Sequence, residues 1–272
     1  MHPPVIDMGG AGRRLLFAHA NGFPPGSYRK FIEALGTHFA VRALEHRPLW
    51  GEARPPRRLR WSLFAEDLLH ALEQHYDEPV WVMGHSLGAV VAVLAARRSP
   101  RRFAGLILLD PVFLPSRYVV QMHLMPEAAR RRIPMLRRAL GRPEYFADAD
   151  SAFAFYRSKR AFRGLSDEAL RDYVASSKAP DEEGGLRLRY PGAWEAAVYG
   201  SPPLVRTALR GLRLPTLGLR GRDSDTLRPE MFARWAHWQS HATLREVPGG
   251  HLFPLEHPRQ TADTIIGELF SE

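Results

Sequence analysis

The 272-residue chain contains no cysteine. That excludes a disulfide framework, a thiol nucleophile and any cysteine-held zinc or iron–sulfur centre, so stability must come from ordinary packing. Lysine is scarce as well: Lys30, Lys159 and Lys178 stand beside 35 arginines. The positive charge is therefore almost wholly guanidinium, which suits forked recognition of phosphate or carboxylate but is also what a coding bias toward arginine leaves. Long apolar runs are missing. The longest, Ala89–Ala96, falls far short of the ~18 residues that cross a bilayer, which excludes membrane insertion. The opening MHPPVIDMGGAGRR lacks a basic stretch followed by an apolar one, so no secretory signal is expected and a cytoplasmic address is the default.

What is present is the material of a globular core: 45% hydrophobic, 10% aromatic and 25% charged residues, enough for one large domain or a core with an insertion. The net charge of +9 raises the question of an anionic partner. No nucleic-acid motif or aromatic-interleaved basic groove accompanies it, so no nucleic acid is expected as a partner.

Short β-rich runs alternate with segments of helical period, which predicts an α/β protein with a mostly parallel sheet. Strands are expected at Leu15–Ala18, Phe39–Leu44, Val80–Met83, Phe103–Leu109, Thr216–Leu219 and Thr243–Val247, with Val5–Met8 a weaker one. Helices are expected over Trp61–Tyr76, Leu87–Arg98, Pro229–Trp238 and Pro258–Phe270, the second apolar enough to be buried against the sheet. From Phe113 to Arg206 the alternation gives way to helical pieces broken by Pro and Gly. The division that follows is a core of 1–112 and 207–272 with a helical lid of 113–206 inserted.

The sharpest local pattern is Val80-Trp81-Val82-Met83-Gly84-His85-Ser86-Leu87-Gly88, a strand running into Gly-x-Ser-x-Gly and then a helix. A turn this tight strains the Ser backbone and needs small residues on either side, so Ser86 is held at the carboxyl end of the strand. The helix that follows offers its positive end and a free N–H at Leu87, where an oxyanion needs a donor. A nucleophilic Ser needs a base and a group that orients it. Of 12 histidines, His251 follows a strand and two glycines at the same sheet edge as Ser86. The acid is expected on the loop after the preceding strand, where Asp225 is favoured and Asp223 is the runner-up.

In the order Ser…Asp…His, Gly84–Gly88, Gly221 with Asp225, and Gly250-His251 resemble the α/β-hydrolase superfamily. The resemblance covers nearly the whole core and implies an α/β-hydrolase fold carrying a helical lid, a serine hydrolase chemistry and no cofactor or metal. It makes Leu16–Pro24 similar to the oxyanion loop, with the second donor the Phe23 N–H or, next, that of Asn21, and His19 a shaping hydrogen-bonder. Two departures stand out: 14 residues before Leu15 leave little room for a first hairpin, so about seven strands are expected, and Glu45–Gly51 replaces the family's Gly-containing turn. Ser at position 86 argues against the dehalogenases and epoxide hydrolases that use Asp there.

The lid bears on substrate choice more than on reaction type. Its aromatics, among them Phe153, Phe155, Tyr156, Phe162, Tyr190, Trp194 and Tyr199, either line an apolar acyl or aryl pocket or form the lid's own core. Residues 113–208 hold 16 basic and 11 acidic side chains. The arginines at 130, 131, 132, 137 and 138 either steer an anionic substrate or form a solvated face. The expected function is hydrolysis of a carboxylic ester, the partner being a small ester-like molecule. A thioesterase, a lactonase or a carbon–carbon bond hydrolase would use the same triad, and a non-catalytic small-molecule receptor on the same fold is the reading from another class. Oligomeric state is left open.

Overall fold

The apolar runs spaced along the chain line up, in a computed structural model describing residues 2–51 and 54–270, as the strands of one seven-stranded sheet. In chain order the elements of the first half are β1 (Val5–Gly10), β2 (Arg13–Ala18), α1 (Arg29–Leu35), β3 (Phe39–Leu44), α2 (Ser62–His75), β4 (Val80–His85), α3 (Leu87–Arg98) and β5 (Phe103–Leu109). Between β5 and the next sheet strand come α4 (Ser116–Leu124), α5 (Glu127–Arg130), α6 (Pro134–Leu140), β6 (Tyr145–Phe146), α7 (Ala149–Arg157), α8 (Asp167–Ser177), β7 (Lys178–Pro180), β8 (Leu186–Leu188), α9 (Gly192–Tyr199) and α10 (Arg206–Arg210). The chain ends with β9 (Thr216–Gly221), α11 (Pro229–Trp238), β10 (Thr243–Val247), α12 (Phe253–Glu256) and α13 (Pro258–Phe270).

The sheet order is β1-β3-β2-β4-β5-β9-β10, with β1 antiparallel to β3 and every other neighbour parallel. Parallel strands are joined by helices that cross the sheet, so both faces are covered and the central strands read as continuous apolar runs. One core lies between the sheet and α2, α3 and α11; the other is built with α1, α8 and α13. Helix α3 is buried from Leu87 through Val93, which is why it lacks the polar stripe of a surface helix. Its close approach depends on two glycines: a Cβ on Gly88 would lie 2.0 Å from the Ala18 carbonyl oxygen, and one on Gly84 would lie 2.4 Å from Gly88.

The segment between β5 and β9 is not wholly helical. Its short strands form an antiparallel sheet, β6-β8-β7, which the sequence pattern did not announce. The segment is pinned to the loop after β2, to α1 and to the end of β3: Ser27 and Ser176 hydroxyls meet at 2.9 Å, Arg29 pairs with Asp172 at 3.0 Å, Lys30 pairs with Glu168, and Arg189 reaches Glu45 at 2.8 Å. Among the described residues no helix is long and apolar enough to cross a membrane.

Candidate active site

Ser86 sits between β4 and α3 at φ 56 and ψ −111, a conformation unusual for a residue with a Cβ. Its amide donates to the Leu109 carbonyl at 2.9 Å, which ties the turn to the neighbouring strand β5. His251 lies on the turn after β10 and places Nε2 2.9 Å from Ser86 Oγ. Its Nδ1 is 2.7 Å from a carboxylate oxygen, Oδ2 of Asp110. A carboxylate oxygen only accepts, so Nδ1 carries the hydrogen and Nε2 is left to accept from the Ser86 hydroxyl.

The acid against His251 is thus Asp110, the residue that follows β5, rather than Asp225 or Asp223. Both of those side chains are exposed, and Asp225 reaches no further than the Thr226 hydroxyl at 3.5 Å. The loop after β9 turns a different residue inward. Ser224, between the two aspartates, is buried and donates its hydroxyl to Asp110 Oδ2, while Gly221 N–H donates to Oδ1 at 3.0 Å. Asp110 is fully buried at φ 40, a left-handed conformation that Asp tolerates better than most residues. Its amide donates to Leu219 O at 2.8 Å. The loop carrying Asp223 and Asp225 therefore supplies a hydroxyl that steadies the acid. The sequence did contain a signal for Asp110: an Asp at the end of the strand after the one that leads into Ser86, closed off by Pro111.

The expected oxyanion donors fare differently. Leu87 opens α3, where helix N–H groups have no partner within the helix. Phe23 N–H, expected as the second donor, is already given to the Ala20 carbonyl at 3.2 Å. In the same loop the Ala20 amide donates to the Tyr28 hydroxyl at 3.2 Å. Of the amides from 20 to 23, those of Asn21 and Gly22 make no hydrogen bond among the described residues. The Asn21 side chain is held from both sides, Oδ1 accepting from Tyr190 at 2.7 Å and Nδ2 donating to Glu195 O at 3.2 Å. Behind Gly22 lies a nearly buried ion pair, Arg142 and Glu195 at 2.5 Å, with Arg142 also donating to the Tyr156 and Tyr173 hydroxyls.

Four buried groups complete the surroundings, of which Tyr28, His46 and His85 were not assigned from the sequence. His85 accepts at Nδ1 from the Tyr28 hydroxyl at 2.6 Å and donates Nε2–H to the His251 carbonyl at 2.8 Å. Burial raises the Tyr28 phenol, so it keeps its proton, and lowers His85 well below the ordinary imidazole range, helped by His251 alongside. His19 donates Nδ1–H to Ala20 O at 2.8 Å and accepts at Nε2 from His46 N–H at 3.1 Å; His46 returns Nε2–H to His19 O at 3.0 Å. Both are buried and lowered, His46 to about 4. His19 shapes the loop through these bonds.

The aromatics of the segment between β5 and β9 pack chiefly on one another. Tyr156, Phe162 and Tyr173 meet at ring-centroid distances of 5.1, 4.8 and 5.1 Å, and Phe23 stacks on Phe162 at 5.8 Å. Lys178 is buried in that cluster, its ammonium 4.5 Å from the centre of the Tyr156 ring; burial, and Arg142 nearby, push it down to about 7.

Residues 15–264 match the profile of the alpha/beta hydrolase family. The chain is 29% identical over 259 residues, 91% of its own length and 84% of the relative's, to the magnesium-chelatase 30 kDa subunit of Rhodobacter capsulatus. It is 33% identical over 104 residues to the pimeloyl-[acyl-carrier protein] methyl ester esterase of Methylococcus capsulatus, 38% of this chain and 39% of that one. Among solved structures, E-2-(acetamidomethylene)succinate hydrolase superposes with a TM-score of 0.78 over 99% of both chains at 20% identity, a likeness of fold.

Proposed function

The chain belongs to the alpha/beta hydrolase family, and on that footing we propose that it cleaves a carboxylic ester through an acyl-enzyme on Ser86. The observation that carries the reading is the unbroken chain Ser86 Oγ, His251, Asp110 at 2.9 and 2.7 Å. As Ser86 Oγ attacks the ester carbonyl, its proton passes to His251 Nε2, and Asp110 steadies the imidazolium without taking the proton. The oxyanion is held by the Leu87 and Asn21 N–H groups. Collapse breaks the ester bond, and the leaving alkoxide takes the proton from His251. Water then repeats the sequence on the acyl group, releasing the acid and restoring Ser86. No cofactor or metal takes part in these steps. The segment 113–206 serves as the lid, its contacts with Asn21 setting the loop that binds the oxyanion.

The test is labelling by a fluorophosphonate. Wild type should be labelled at Ser86 and Ser86→Ala should not, with a panel of acyl esters, thioesters, lactones and diketones then ranking the substrates. Absence of labelling in wild type would refute the reading.

A further inference from the structure

Exposed apolar side chains are normally scattered, and a contiguous set marks a surface that is covered in use. Most of the exposed large hydrophobics here are concentrated on one ridge. Tyr118, Val120, Leu124, Met135 and Leu140 all lie on α4 and α6, Leu124 being 80% exposed, and Leu204 lies next to the same turn. The turn at 200–202 gathers the three helices: His123 of α4 bonds Pro202 O at 2.9 Å, Arg130 of α5 donates to Gly200 O at 3.2 Å, and Leu136 of α6 packs on Gly200.

The ridge is amphipathic by construction. On α4, Val119 and Met122 are buried while Arg117, Val120, Gln121 and Leu124, at helical spacing, line an open groove of about 630 Å³ with Met125. On α6, Leu136 and Ala139 face inward and Met135, Arg137, Arg138 and Leu140 face solvent. The charge is as concentrated as the apolar surface. Residues 116–140 contain six arginines and a single acid, Glu127, and Glu127 is engaged by Arg131 at 2.8 Å. More than half of the chain's net charge of +9 therefore stands on this ridge.

We propose that the α4–α6 ridge docks on an anionic lipid bilayer, with Val120 and Leu124 entering the headgroup layer and the flanking arginines pairing with lipid phosphates. The charge selects this occupant. Two copies of the ridge would face each other with like charge unpaired, whereas an anionic lipid surface attracts each guanidinium and accepts the apolar side chains between them. The docking is peripheral, with the helices lying on the surface. It brings the segment that contacts the oxyanion loop to the place where acyl compounds partition, but it does not depend on the ester reading.

The experiment is flotation of the full chain with vesicles of phosphatidylcholine alone or mixed three to one with phosphatidylglycerol, at low and raised salt. Wild type should float with the mixed vesicles and much less with the neutral ones. Leu124→Glu, and the pair Arg131→Glu with Arg132→Glu, should each weaken binding by about tenfold or more. A control pair on the loop before α2, Arg57→Glu with Arg58→Glu, removes equal charge elsewhere and should keep most of the binding. Fluorophosphonate labelling and thermal melts of all variants should match wild type, which separates this outcome from any failure of the hydrolase reading. Absence of binding to the mixed vesicles, or an equal loss in the control pair, overturns the proposal. So does a dimer, found without vesicle binding and broken by Leu124→Glu, since that assigns the ridge to a second copy of the chain.

Discussion

The imidazole of His85 donates to the backbone carbonyl of His251 at 2.8 Å, so the residue just before Ser86 holds the main chain of His251. Tyr28 completes the link, donating to His85 and accepting from Ala20, and so ties the loop after β2 to both. A buried hydrogen bond left unmade costs about 1–3 kcal/mol. His85→Leu should therefore lower kcat about ten- to a hundredfold with KM little changed, and His85→Gln, which can donate at the Nε2 position, should recover much of the loss. Equal activity of the Leu and Gln variants in steady-state kinetics would show that the link does not position His251.

Asp110→Asn should reduce kcat by roughly a thousandfold or more, because an amide facing Nδ1 favours the wrong tautomer of His251. Asp225→Asn and Asp223→Asn should stay close to wild type, since both side chains face solvent. Rates of all three on one ester decide the assignment; a larger loss at either loop residue would displace Asp110.

Acid should weaken the fold through imidazoles that are buried neutral. His19, His46 and His85 are fully buried, and burial holds each below its ordinary value, His46 at about 4. An unfolded imidazole takes a proton near pH 6.5, whereas the folded ones resist it. Stability is thus full above pH 6.5, falls as pH drops below it, and levels only beneath the folded values. For His46 the interval from 6.5 to about 4 corresponds to about 3 kcal/mol. Urea unfolding between pH 7.5 and 4.5 should show the decline, and His46→Gln should flatten it. A flat wild-type profile would contradict the account.

Gly88→Ala should destabilise the protein by about 1–3 kcal/mol and reduce fluorophosphonate labelling, because the added methyl meets the Ala18 carbonyl and moves α3 off β2. A melting temperature equal to wild type would mean that the helix has room to shift.

Arg142→Met leaves Glu195 nearly buried without its partner beneath Gly22. The expected cost is about 3 kcal/mol, together with a fall in kcat as the Asn21 loop loses its backing. Arg142→Met paired with Glu195→Met should restore stability, and a double variant no more stable than the single would argue against the pair as the source.

What the sequence made legible were features fixed by short-range sterics. Gly84-x-Ser86-x-Gly88 is one, because the turn tolerates nothing larger; buried α3 and the apolar strands are others. The acid was not legible in the same way. Choosing among Asp110, Asp223 and Asp225 requires knowing that β5 and β9 lie side by side after the long intervening segment, and which way one loop turns its side chains; Ser224 faces in and its neighbours face out. The loss of Phe23 N–H to a local turn bond is equally invisible before the loop is folded. The small β6-β8-β7 sheet escaped because strands of two or three residues are too short to display a period.

The burial of Lys178 has a practical consequence for handling the molecule. With that amine enclosed by rings, Lys30, paired with Glu168, and Lys159, over the Phe155 ring at 4.1 Å, are the remaining ε-amines among the described residues. Reagents aimed at amines would find two side-chain attachment points, so immobilisation through lysine would present the protein in few orientations. The guanidinium coat, which stays protonated beyond pH 12, would meanwhile hold its charge through alkaline coupling buffers that discharge a lysine-rich surface.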